Sequence, residues 1–242
     1  MIEIKDVSFS YGQTRVLQDL TLEITQGTFL AMMGANGSGK STILKLVNAI
    51  NTPDKGDVTV FGMNTGDPEN TYEIRKKAGL VFQNPDNQII ASTVEEDIVF
   101  GMENIGMDRM AMKRKLSRIV EFAGLKGLEK KNPLMLSGGQ KQRLAIASIL
   151  VMEPEILLLD EPMSMLDPEG QLEIMQLLRK YHRANNTVIL VTHDIEAALF
   201  AEKICLIRDG RVELMGSTPI VLPKLRHYRE VEVTDWALGR VI

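Results

Sequence analysis

The stretch Gly34-Ala35-Asn36-Gly37-Ser38-Gly39-Lys40-Ser41 constrains this chain more than any other. It has the spacing G-x-x-x-x-G-K-[ST], a loop whose backbone N–H groups wrap phosphate oxygens. Gly34, Gly37 and Gly39 let the backbone curl close to an anion without Cβ clashes. Lys40 is placed to reach terminal phosphates, the Ser41 hydroxyl to take a place on Mg²⁺, and Thr42 extends the candidate nucleotide-binding set by one residue. The apolar run Phe29-Leu30-Ala31-Met32-Met33 before the loop has the length of a buried strand. After the loop, Ile43, Leu44, Leu46, Val47 and Ile50 keep the spacing of a helix with one apolar face. A helix that opens on a phosphate loop presents its positive end to the anion.

Bulk properties narrow the class. A chain of 242 residues with 44% hydrophobic and 25% charged residues can bury a sizeable core as one or two domains. A net charge of −4 carries no footprint for nucleic acid, so none is expected as a partner. The single Cys205 excludes an internal disulfide, suits a reducing compartment, and lies in Ile204-Cys205-Leu206-Ile207 as a buried structural thiol. The start Met1-Ile2-Glu3-Ile4-Lys5 lacks the pattern of a signal peptide, and no apolar run approaches the ~18 residues of a membrane span. The expectation is a cytoplasmic chain that meets any membrane through a partner.

Along the chain, residues 2–11 alternate with a slip near Lys5-Asp6, and Leu20, Leu22 and Ile24 alternate again. With Val58 and Val60 these predict an antiparallel sheet beside the loop. Tyr11 is either a platform for an aromatic base or an aromatic on a half-buried strand. Leu80-Val81-Phe82 reads as a short strand, and Gln83 follows it, placed to touch a metal or an attacking water or simply to be part of a polar loop. Residues 92–136 read as helices, with a capping box at Thr93-Val94-Glu95-Glu96, a cap at Asp108 and a stop at Gly124. The methionines between Met102 and Met112 fit either a docking patch or core. Ser137 and Gln140 form a second capping box, but a cap alone does not explain Gly138 and Gly139, which make that helix tip a second anion cradle. Four aliphatics, 156–159, run into Asp160 and Glu161. In a chain with a phosphate loop, Asp160 is placed to hold Mg²⁺ and Glu161 to deprotonate the attacking water. Thr187 to Val191 predicts a buried strand ending near His193, which is either structural or a sensor of a γ-phosphate. Residues 204–207 and 212–214 predict a hairpin around Asp209-Gly210. The tail with Tyr228 and Trp236 gives no assignment.

In this order the loop at 34–41, Gln83, Leu136-Ser137-Gly138-Gly139-Gln140, Asp160-Glu161, Asp167 and His193 resemble the ATP-binding cassette (ABC) ATPases across about residues 2–220. The run from Phe82 to Gln88, with Thr93-Val94-Glu95-Glu96-Asp97 and Phe100-Gly101, looks like a narrower group, the energy-coupling factor ATPases of vitamin and cobalt/nickel importers. The resemblance implies an α/β fold: a P-loop core of the RecA type, an N-terminal antiparallel β-subdomain, and a helical subdomain at about 88–152 inserted within an ATPase domain at 1–220. A short tail covers 221–242. It implies an ATP hydrolase with ATP and Mg²⁺ as cofactors. Tyr11 would stack on adenine; Ser41, Gln83 and Asp160 would serve the metal; Lys40, Glu161 and His193 would be catalytic. Ser137, Gly138, Gly139 and Gln140 would touch the nucleotide of an opposite subunit, with Asp167 at that interface. Gln88 would begin a helix facing a transmembrane partner. The partners implied are a second ATPase, identical or paralogous, and integral membrane subunits, placing the chain on the cytoplasmic face of the membrane. The alternatives are a soluble cassette ATPase and the ATPase of a conventional ABC transporter with another cargo.

Geometry adds an expectation of its own. A helix from about Gln140 to Met152 spans roughly 20 Å at 1.5 Å per residue, which predicts that the cradle at Ser137 is held away from Asp160.

Overall fold

A computed structural model describes residues 1–183, 185–228 and Ala237; Trp236 lies outside the described residues. The chain opens with strands β1 (Ile2–Tyr11) and β2 (Thr14–Ile24), paired antiparallel. The slip expected near Lys5-Asp6 is a register shift between Ile4 and Val7, with Asp6 at φ 50°. Strand β3 (Phe29–Met33) leads through the phosphate loop into helix α1 (Lys40–Val47). Strands β4 (Lys55–Val60) and β5 (Met63–Asn64) complete a four-stranded sheet of order β2-β1-β4-β5.

Helix α1 stops three residues before Ile50, which the apolar spacing had placed within it. Ala49 turns to φ 55°, its N–H donates to Leu46 O, and the Ile50 N–H returns to Lys45 O at 2.8 Å. Those two bonds make a Schellman stop. Ile50 is thereby carried outside the helix and left 42% exposed.

Helix α2 (Thr71–Lys77) precedes β6 (Ala78–Val81). Helices α3 (Val94–Asn104), α4 (Arg109–Phe122) and α5 (Gly138–Leu150) then run between β6 and β7 (Ile156–Asp160). Their starts follow the expected chemistry. Thr93 accepts from the Glu96 N–H, Asp108 accepts from two N–H groups, and both halves of the Ser137–Gln140 capping box are present. The helix expected to begin at Gln88 begins at Val94 instead. Pro85–Asn87 is a single 3-10 turn, and the Gln88 side chain is spent on other bonds.

Helix α6 (Pro168–His182), strand β8 (Thr187–Val191), the short α7 (Ile195–Ala198), strands β9 (Lys203–Arg208) and β10 (Arg211–Ser217), and helix α8 (Thr218–Leu225) follow. Asp209 and Gly210, both at positive φ, turn the expected hairpin. Helix α8 crosses residue 220, and its Val221, Leu222 and Leu225 are buried.

The second sheet has the order β10-β9-β3-β8-β7-β6, parallel except for β10. Its central strands are buried on both faces. Phe29, Ala31, Leu157, Leu159, Val188 and Leu190 join the core with the helices of the 94–178 region. Leu30, Met32, Ile156, Leu158, Ile189 and Val191 join α1 and the antiparallel sheet. The fold is α/β, a phosphate-loop core between an antiparallel sheet and a helical layer. The C-terminal ends of β3, β7 and β8 form one edge, and there the candidate residues gather.

Candidate functional site

At the phosphate loop, Gly34 lies at φ 141° and Gly39 at φ 106°. A Cβ on Gly34 would stand 2.1 Å from the Ile207 carbonyl oxygen, and one on Gly39 would stand 2.5 Å from Leu17. Gly34 is thus pressed against β9 and Gly39 against β2, while Gly37 faces open space. Helix α1 has no side-chain cap, so its first N–H groups point into the loop's concavity. The Ser38 hydroxyl is buried and has no protein partner. An orphaned donor at a helix tip is what a phosphate oxygen satisfies.

Lys40 is buried, and its ammonium donates to Gly34 O and Ala35 O, both at 2.8 Å. Burial holds its pKa below the usual lysine value, against the pull of Glu161 and Asp160. The ammonium is thus parked on carbonyls that a phosphate can replace. Ala35, Asn36, Gly37 and Ser38 also line a cleft of about 290 Å³ with Arg15 and Arg208. Tyr11 stands apart from that lining. It is 47% exposed, meets Phe9 edge-on at 4.9 Å and accepts a hydrogen bond from Asn51.

The carboxylates lie beside the loop. Ser41 Oγ donates to Asp160 Oδ1 at 2.8 Å. Burial raises the Asp160 pKa, the Ser41 bond lowers it, and neighbouring Glu161 raises it further. The next residue, Glu161, is turned to φ 46° and donates its N–H to Val191 O, so its side chain leaves the strand line. Two groups from different elements meet its Oε2: Gln83 Nε2 at 3.4 Å and His193 Nδ1 at 3.5 Å. Gln83 also reaches Ser164 Oγ at 3.4 Å. The hydroxyl of Ser41, the amide of Gln83 and the carboxylate of Asp160 are oxygen donors suited to a hard cation. Among the described residues no three His, Cys, Asp or Glu cluster as a metal cage. The set therefore fits an ion that shares its coordination with substrate phosphates.

The second cradle stands differently. Ser137 and Gln140 bond each other, and no hydrogen bond joins them to 34–41 among the described residues. The helix expected to hold this cradle away from Asp160 runs from Gly138 to Leu150. A five-residue connection, 151–155, joins α5 to β7. A Cβ on Gly138 would stand 3.6 Å from Leu166, five residues past Glu161. Gly138 and Gln83 line one small cavity of about 140 Å³.

Two residues, Asp97 and Gln88, were not singled out by sequence for what they do here. Asp97, buried, accepts from the Ile90 and Ala91 N–H groups and from Ser148 of α5 at 2.7 Å. Gln88 accepts from Phe82 N–H and donates to Ala145 O of α5. With the Lys141 ammonium of α5 on Asp86 at 2.7 Å, the segment after Gln83 is thus fastened three times to the helix that carries the glycine tip. Cys205 is buried as expected, its thiol pushed up to about 12 by burial.

A parallel sheet with a phosphate loop, a lysine, and a strand-end acid pair defines a P-loop nucleoside triphosphatase. The sequence profile of the ABC transporter family matches residues 17–164. An energy-coupling factor transporter ATP-binding protein, EcfA1, of Caldanaerobacter subterraneus is 43% identical over 96% of this chain and 84% of its own length. EcfA of Syntrophomonas wolfei is 40% identical over 92% of this chain and 83% of its own. Among solved structures, cbiO1 from Clostridium perfringens, part of the ABC transporter complex cbiONQ, superposes with a TM-score of 0.83 at 32% identity, covering 94% of this chain and 95% of that one. The cassette MJ0796, dimeric and bound to ADP and Pi, gives 0.81 at 34% identity over 90% and 98%. The chain belongs to the ATP-binding cassette family, in the group of energy-coupling factor transporter ATP-binding proteins. It is an ATP-binding ATPase coupled to transport.

Proposed function

We propose that this chain pairs with a second ATPase, identical or paralogous, closing two ATP molecules between them to drive import of a vitamin or transition-metal ion. In this reading the helices of about 88–152 are inserted in the ATPase domain, which the buried Val221, Leu222 and Leu225 of α8 carry past the boundary expected at 220. It works on the cytoplasmic face of the cell membrane against integral membrane subunits. No helix among the described residues is long and apolar enough to cross a membrane. A groove of about 630 Å³ offers the membrane subunits a seat. Ile90, Val99 and Phe100 give it apolar walls, and Glu95, Glu96 and Glu103 an acidic rim. It suits a partner segment with apolar and basic side chains.

Each residue then has a task at the phosphates. The 34–39 backbone and the α1 tip hold the phosphate chain, and Lys40 leaves its two carbonyls to neutralise the transferring group. Ser41, Gln83 and Asp160 would hold Mg²⁺, which when bound screens the phosphate charge. Glu161 accepts the proton of the attacking water as its oxygen bonds to the γ-phosphorus and the bond to the leaving ADP oxygen breaks. His193, 3.5 Å from Glu161, would sense the γ-phosphate. Tyr11 would stack on adenine once freed from Asn51. The 137–140 tip would close on the partner's γ-phosphate.

One observation carries the reading: Gly138 and Gly139 have ordinary van der Waals room for a Cβ and lack positive φ. Nothing inside the chain requires glycine there, so something outside does. The test of the hydrolytic half is Glu161→Gln. It should bind ATP normally and hydrolyse it about 10²–10⁴-fold more slowly; an unchanged rate would remove Glu161 from the role of base.

A further inference from the structure

We propose that a cavity sharing no residue with the nucleotide site binds an amphiphilic anion, an apolar chain or ring ending in a carboxylate or sulfonate. It lies between α4, the connection from α5 to β7, and the end of α6, and has a volume of about 520 Å³. That is within the ~300–1,000 Å³ of small-molecule sites. Its floor is apolar, from Ile119, Phe122, Leu150 and Pro154. Its rim is cationic. Arg114, Lys115 and Arg118 all line it, and the i, i+4 spacing puts the two arginines on one face of α4.

The charges do not cancel. Lys115 is paired with Glu153 at 2.9 Å, whereas Arg114 and Arg118 carry no ion pair among the described residues. Two uncommitted guanidinium groups above an apolar floor select against both simple alternatives. A neutral apolar ligand leaves the arginines unanswered, and a compact anion such as phosphate leaves the floor wet. An amphiphilic acid answers both.

The far wall is tied by a hydrogen bond. The Tyr181 hydroxyl donates to the Pro154 carbonyl, and burial raises the phenol's pKa, keeping it a donor. This wall belongs to the connection that leads directly into β7 and Asp160, while the rim belongs to α4. An occupant therefore fastens the helical layer to the strand that carries the acid pair.

Decanoate titrated calorimetrically into the full chain tests this, with decanol as the neutral match. The wild-type chain should bind decanoate about tenfold or more tightly than decanol. Arg114→Glu with Arg118→Glu should weaken decanoate by about tenfold or more, and Ala111→Trp, which fills the mouth, should abolish binding. Lys113→Glu makes the same charge reversal at one position of the same helix, half the double variant's change, without lining the cavity and should bind as wild type. Melting temperatures report that each variant folds. Competition by phosphatidylglycerol vesicles would make a lipid the source of the anion; no competition would make it a free acid. Failure of the wild type to bind, equal binding of decanol, or decanoate binding indifferent to these substitutions overturns the proposal.

Discussion

Two helix tips of this molecule carry glycines, the phosphate loop and the 137–140 tip proposed to meet a partner's nucleotide, and they keep those glycines for opposite reasons. At 34–39 the reason is internal. The backbone is at positive φ, and a Cβ on Gly34 would collide with a carbonyl at 2.1 Å. At 138–139 the φ is ordinary and the nearest atoms stand at 3.6 and 3.8 Å. The first tip is a finished wall, with its lysine folded onto its own carbonyls. The second has only its cap satisfied and otherwise offers bare N–H groups. A glycine that its own chain does not need points to a surface completed by another molecule.

Substitutions can break this contrast. Gly34→Ala should have the largest effect, costing about 3 kcal/mol or more and ending nucleotide binding, because the obstacle is backbone. Thermal melts and ATP titration would show it, and a well-folded, ATP-binding variant would deny the internal reason. Asp97→Ala should cost about 2–4 kcal/mol by stranding the Ser148 hydroxyl and two N–H groups. It loosens α5 and its tip but leaves the loop able to bind ATP, so stability and ATP affinity should part company.

Asp160→Asn is subtler. Burial raises the folded-state pKa of Asp160 above its ordinary 3.8. The folded chain therefore holds that proton more tightly than the unfolded one. Its stabilising contribution is present in acid and is lost as pH rises through the folded value. Without nucleotide or metal, the Asn variant should melt higher than wild type at neutral pH, and the gap should close below about pH 3.8. A gap that widens in acid would reverse the sign. The smallest effect on stability should come from Gly138→Ala, neutral or stabilising by about 0.5–1 kcal/mol in a helix.

Much of this was legible in sequence because the signals are local. The loop at 34–41 needs only glycine spacing, a preceding apolar strand and a following helix. The caps at Thr93, Asp108 and Ser137 need only side-chain oxygens two or three residues before their donors. What sequence missed depends on chain reversal or distant pairing. Counting residues along α5 gives a length, but not the packing that brings Gly138 beside Leu166. Asp97 reads as one more acid in a first helical turn; its importance comes from Ser148, 51 residues away. Ala49 takes a positive-φ stop that glycine or asparagine would have announced. The gathering of Gln83 and His193 on Glu161 rests on three strand ends sharing one edge, which residue types alone suggest but do not measure.

The most direct measurement is ATP turnover by a mixture of two inactivated chains, Lys40→Ala and Gly138→Asp. Each alone should be inactive, one for want of the lysine and the other for want of the glycine tip. Mixed dimers contain one intact pairing, the loop of the second chain against the tip of the first, so activity should return on mixing. Full turnover by Gly138→Asp alone, or no recovery in a mixture shown to dimerise, would contradict a site built from two chains.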